Sequence, residues 1–151
     1  MSSNDDTIDT LNDLIETTKD GEYGFRACAE QAKSPELKQL LADRAAQCAE
    51  GAGELQSIVS SLGGKAEDSG TASGAMHRGW VSVRSTLSSF TDLAVLEECE
   101  RGEDKALARY RSALEQPLPP EVRSIVERQS RGVQANHDLI RDRRNSLRAA
   151  A

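Results

Sequence analysis

A chain of 151 residues is long enough for one domain with its own core. Aromatic residues make up only 3% of it, so that core must be built from Leu, Ile, Val and Ala, which suits close-packed helices better than stacked sheets. The net charge of −6 excludes general nucleic-acid binding, and no stretch is long and apolar enough to span a bilayer.

Residues 1–6 carry neither a basic run nor an apolar one, so no signal peptide is expected. Helix one is expected over about 7–32, with Thr7 as its cap and nearby aspartates favoured by the helix dipole. Its seam reads Ile8, Leu11, Ile15, Thr18, Glu22, Phe25, Ala29, Ala32, in steps of three and four. Ser34-Pro35 marks a stop and an immediate restart, with the proline at a first helical position where its missing N–H does no harm. Helix two, about 35–62, carries Leu37, Leu41, Ala45, Cys48, Ala52, Leu55, Val59 and Leu62, and Gly63-Gly64 ends it.

A crossover over 63–91 follows. It opens as a Gly/Ser/Thr-rich loop and then forms a short amphipathic helix over about 75–89, anchored by Trp80. Thr91-Asp92 supplies a new cap for helix three, about 92–115, with Leu93, Leu96, Glu100, Glu103, Leu107, Tyr110 and Leu114 on its seam. Pro117 to Pro120 breaks the chain. Helix four, about 120–147, shows Val122, Val126, Gln129 or Ser130, Val133, His137, Ile140, Arg144 and Leu147.

Short turns make each adjacent pair antiparallel, while the long connection carries the chain back along the bundle. The expected fold is therefore an all-α, ferritin-like four-helix bundle in up-down-down-up order. A plain up-down-up-down bundle with a decorated loop is the alternative.

Four polar side chains interrupt the apolar seams: Glu22, Glu100, Glu103 and His137. In the crossover topology the rise per residue puts them in one layer, about 12 to 17 Å from one end of the bundle. Carboxylates and an imidazole inside a bundle are the donor set for iron, manganese or zinc. Against a metal stands the absence of any Glu-x-x-His: Gln134 and Gly74 occupy that position before His137 and His77. The simpler expectation is that the acids lie at seam edges, their heads in water or paired with an arginine such as Arg44.

The three cysteines, Cys28, Cys48 and Cys99, form no Cys-x-x-Cys pair, so a disulfide framework and a zinc knuckle are not expected. A reduced, cytoplasmic setting follows. Cys48 reads as a small core residue and Cys99, beside Glu100, as a thiol with nothing to lower its pKa. No nucleophilic triad or phosphate-binding loop can be assembled.

Several runs together resemble an uncharacterised bacterial family of ferritin-like four-helix-bundle proteins, a domain of unknown function, over nearly the whole chain. They are Leu11-Asn12-Asp13-Leu14-Ile15-Glu16, His77-Arg78-Gly79-Trp80, Glu98-Cys99-Glu100-Arg101-Gly102-Glu103-Asp104, Leu118-Pro119-Pro120-Glu121-Val122-Arg123, Val126-Glu127-Arg128-Gln129 and His137-Asp138. The resemblance implies that fold, a bacterial cytoplasmic protein, and no established activity or cofactor. Where the family is expected to carry a bulky aromatic, this chain has Gly51 and Ser130, which would loosen the packing or open a pocket. The favoured reading is a non-catalytic, self-associating bundle with a structural or stress-related role. A metal-handling or oxidative protein using Glu22, Glu100, Glu103 and His137 is the second reading. The third is an adaptor that recruits a protein partner through Trp80.

Overall fold

The computed structural model describes residues 3–67 and 91–150. Among them are four helices and no strand: α1 (Ser3–Gln31), α2 (Pro35–Ser61), α3 (Asp92–Leu114) and α4 (Pro120–Ala150). The expected crossover helix, with His77 and Trp80, lies outside the described residues.

Local chemistry sets most of the boundaries. Ser34 caps α2 by accepting the Leu37 N–H at 3.3 Å, with Pro35 in the first turn. Gly63 takes φ +82, the left-handed conformation that ends α2. Gly64 is fixed by space instead, because a Cβ there would come within 2.7 Å of the Ile8 side chain. Thr91 caps α3 by accepting the Ala94 N–H at 3.1 Å. One expected start is corrected. α1 begins at Ser3, and Thr7 is a buried residue within it instead of its cap; Asp5 and Asp6 hold the first turn, where the dipole favours them.

The Asp92 carboxylate decides the topology. It accepts the backbone N–H groups of Lys33 at 2.7 Å and Ser34 at 3.1 Å, tying the α1–α2 turn to the start of α3. The C-terminus of α1 and the N-termini of α2 and α3 therefore share one end of the bundle. α2 and α3 run the same way, and the order is up-down-down-up. At the opposite end Arg123 donates to the carbonyls of Leu114 (2.8 Å) and Gln116 (2.6 Å), which closes the α3–α4 turn.

The core falls into two apolar clusters. Phe25, Cys28, Leu37, Leu41, Leu96 and Ile140 belong to one. Leu11, Ile15, Leu55, Val59, Tyr110 and Val126 belong to the other. Burying each Leu, Ile or Phe contributes roughly 1.5–3 kcal/mol, and Leu41→Ala would cost about 2–5 kcal/mol. Between the clusters lies a polar layer.

Candidate functional site

The polar layer is built from the middles of the helices. Glu103 on α3 is 1% exposed and Arg44 on α2 is 8% exposed. The Arg44 Nε donates to Glu103 Oε1 at 3.3 Å, and its Nη1 donates to Gln47 Oε1 at 3.3 Å. The guanidinium also lies over the Phe25 ring, 5.6 Å from its centre. Burial pushes the Glu103 carboxyl pKa up, and Arg44, then His137 and Asn136, pull it back down. Glu103 Oε2 is buried with no hydrogen-bond partner, and so is Asn136 Nδ2.

The other three candidate residues stand at the same level. Glu22 and Glu103 both bear on the Cys48 thiol, and His137 bears on Glu103, so acids from α1 and α3 meet the α4 imidazole at a common depth. Each acid has a basic partner. Glu22 pairs with Arg26 at 3.0 Å and with Lys19 at 3.9 Å on its own helix. Glu100 pairs with Arg144 of α4. His137 Nε2 lies 2.8 Å from Asp104 and 3.7 Å from Glu100, and its Nδ1 is 3.4 Å from Asp138.

This donor set does not fit the paired metal centre that a ferritin-like bundle can carry. α2 contributes a cation where a carboxylate or imidazole would be needed, and the acids of the layer are engaged by Arg44, Arg144 and Arg26. Among the described residues, no three His, Cys, Asp or Glu side chains gather so as to hold a metal ion.

Some of the layer was not read from the sequence. Asp104 is the nearest acid to His137 and lies four residues after Glu100, hence on the same helical face; that spacing could have flagged it. Tyr110 and Gln129 stand on the expected seams, but their bonding was not foreseen: Tyr110 Oη donates to Gln129 Oε1 at 2.8 Å, and Gln129 Nε2 donates to Gly51 O at 3.2 Å and Glu54 Oε1 at 2.8 Å, linking α2, α3 and α4. Asp20 and Glu98 are buried, at 4% and 6% exposure, though no seam pattern marks them. The cysteines are free and buried. Burial lifts the Cys48 thiol to about 12 and raises Cys99, which the neighbouring Cys28 thiol raises further. Cys48 and Cys99 are poor nucleophiles as a result.

Two cavities open at this level. One, of about 270 Å³, lies between α1 and α3, with Gly21, Arg44, Gly102, Glu103 and Tyr110 on its wall. The other, of about 530 Å³, lies between α2 and α4 and is lined by Arg44, Gly51, Gln129 and Gly132 among others. Gly51 lines the second cavity, where an added Cβ would touch the Gln129 amide at 3.6 Å; Ser130 lines neither cavity.

Comparison with known proteins agrees with this architecture. A family described as a domain of unknown function (DUF2383) matches residues 6–116. No curated protein matches the sequence. Among solved structures, a dodecameric thioferritin, the bacterioferritin-related protein of Bacteroides fragilis, superposes with a TM-score of 0.79 at 13% identity, over 98% of this chain and 89% of that one. A point mutant of Mycobacterium smegmatis Dps1 gives a TM-score of 0.76 at 13% identity, covering 95% of this chain and 99% of that one. The conserved hypothetical protein rv2844 of Mycobacterium tuberculosis gives 0.69 at 15% identity, over 97% and 98%. Such low identities establish the ferritin-like fold alone.

Proposed function

The chain belongs to this DUF2383 family of unknown function, and from that premise we propose that it is a non-catalytic, self-associating ferritin-like bundle of the cytoplasm with a structural or stress-related role. One observation carries the reading. The Arg44 guanidinium supplies the positive charge that the buried Glu103 carboxylate needs, 3.3 Å away in the middle of the bundle. A fixed internal cation in that place removes the need for a metal as counter-ion. Self-association is supported by the likeness to a dodecameric protein of the same fold, and a reducing compartment by three free cysteines.

The second reading makes Glu22, Glu100, Glu103 and His137 ligands of iron, manganese or zinc. Its support is the cluster of Glu100 and Asp104 oxygens 3.7 and 2.8 Å from the His137 Nε2. Elemental analysis of untagged protein after incubation with ferrous iron separates the two. The first reading expects metal far below one ion per chain; stoichiometric metal that vanishes in His137→Ala establishes the second. Light scattering tests the self-association, which a monomeric mass refutes.

A further inference from the structure

The cavity of about 530 Å³ opens between α2 and α4, and the two helices meet beside it through Arg128 on Glu54 and Gln129 on Gly51. Those contacts identify the edges of the face. Counted from Glu54 in steps of three and four, the α2 edge carries Glu36, Leu40, Asp43, Gln47, Glu50 and Glu54. Counted the same way from Arg128, the α4 edge carries Arg128, Gly132, Ala135, Leu139 and Arg143, all exposed. One edge is acidic without a cation, and the other is basic without an acid. Neighbouring charges of the opposite sign are turned away. Lys38 donates to the Ala29 and Glu30 carbonyls of α1, Arg44 donates to Glu103, and Asp138 and Asp142 pair with Arg141. Glu127 directly precedes Arg128, a rotation of about 100° that carries it off the edge. Two features have no reason within one chain. Leu139 is 41% exposed. At Gly132 an added Cβ would meet nothing within 4 Å, so the chain's own packing does not call for a helix-weakening glycine.

A second copy of the chain supplies that reason. α2 and α4 run antiparallel, with Glu54 level with Arg128. Each edge rises about 1.5 Å per residue from there, so Asp43 stands level with Leu139, and Arg143 lies about 6 Å higher, between Asp43 and Glu36. A two-fold axis parallel to the helices keeps every height and sets α2 of each copy against α4 of the other. Glu50 and Glu54 then face the partner's Arg128, Asp43 and Glu36 face the partner's Arg143, and Leu40 lies beside the partner's Leu139. Each contact is made twice, as two-fold symmetry requires. Gly132 and Ala135 let the helix backbones come close. With the 27 residues of α2 giving about 40 Å of length, and two helix diameters of about 10 Å the width, the face offers roughly 800 Å². That is the usual share of one partner in a stable complex.

We propose that the α2–α4 face is the surface through which two copies of this chain associate, the acidic α2 edge of each pairing with the basic α4 edge of the other about an axis parallel to the bundle. This interface rests on the self-association above and gives it a surface. Sedimentation equilibrium of the full-length wild type, Asp43→Lys and Arg143→Glu tests it. Both positions are exposed, so the helical circular dichroism of each variant should match the wild type. Either substitution alone sets like charges opposite one another twice and should weaken association at least tenfold. An equimolar mixture of the two variants should restore it, because the new lysine then meets the new glutamate at one contact and Arg143 meets Asp43 at the other. Mixing does not mend a folding defect. Wild-type protein that associates while both variants associate equally well overturns the proposal alone, since the contact then lies on another surface. A mixture no better than its two components does the same. A wild type that stays monomeric at every concentration overturns both the proposal and the self-association beneath it.

Discussion

Removing one half of the Arg44–Glu103 pair should reveal what that pair does. At 3.3 Å, with side-chain exposures of 10% and 2%, the two charges attract by about 5 kcal/mol at an effective dielectric of about 20. Taking each ion out of water costs several kcal/mol, so the intact pair stands near break-even. Arg44→Met keeps the bulk and removes the charge, leaving a buried bare carboxylate; this should cost about 3–5 kcal/mol at neutral pH. For a chain of this size that corresponds to a fall in Tm of roughly 6–20 °C. Burial already raises the Glu103 pKa above its unfolded value, and losing Arg44 raises it further. The folded state then holds a proton that the unfolded state has released. The stability tied to that proton is full below the unfolded pKa and is lost as pH rises through the folded one. The variant's deficit should accordingly be small near pH 4 and grow with pH, at most about 1.4 kcal/mol per pH unit. Urea denaturation followed by far-UV circular dichroism, from pH 4 to 8, measures it. Adding Glu103→Leu should restore most of the loss and flatten the pH dependence. A deficit independent of pH, or a double variant no better than the single one, would refute the reasoning.

The remaining predictions concern packing and caps. Gly53→Ala, with nothing within 4 Å of the new methyl, should stabilise by roughly 0.5–1 kcal/mol in urea melts, whereas Gly21→Ala should gain nothing or lose stability against the Cys48 sulfur at 3.0 Å. Asp92→Ala, which frees the Lys33 and Ser34 amides, should cost about 1.5–3 kcal/mol and speed amide exchange at those two residues first. Because burial raises the Cys48 and Cys99 thiols, a thiol reagent at pH 8 should label none of the three cysteines quickly in native protein and all three after denaturation; rapid labelling of the native chain would mean an open core.

Seam spacing and cap chemistry made the helices legible, because Ser34, Pro35, Gly63 and Thr91 act within a turn of where they sit. The start of α1 was harder. Residues 3–6 offer no apolar period, and the helix there rests on its acidic first turn and on the buried Thr7. The direction of α3 followed from the length of the crossover alone, before the Asp92 carboxylate and its two amide bonds gave it a cause. The common depth of Glu22, Glu103 and His137 came from rise per residue and topology together. What spacing could not give was the assignment of partners. Arg44 reaches across to Glu103 and Arg144 across to Glu100, while Glu22 turns back to Arg26; these choices depend on rotamers and interhelical distance. The buried Asp20 and Glu98 escaped for the same reason: their heights are readable and their surroundings are not.

The central claim is that an arginine occupies the place where bundles of this fold can hold metal. Titrating the isotope-labelled protein with manganese(II) tests it residue by residue, because the ion broadens every amide near its site. The account expects the Arg44, Cys48, Glu103 and His137 amides to stay sharp at one equivalent. Selective loss of those four signals at that ratio would contradict it.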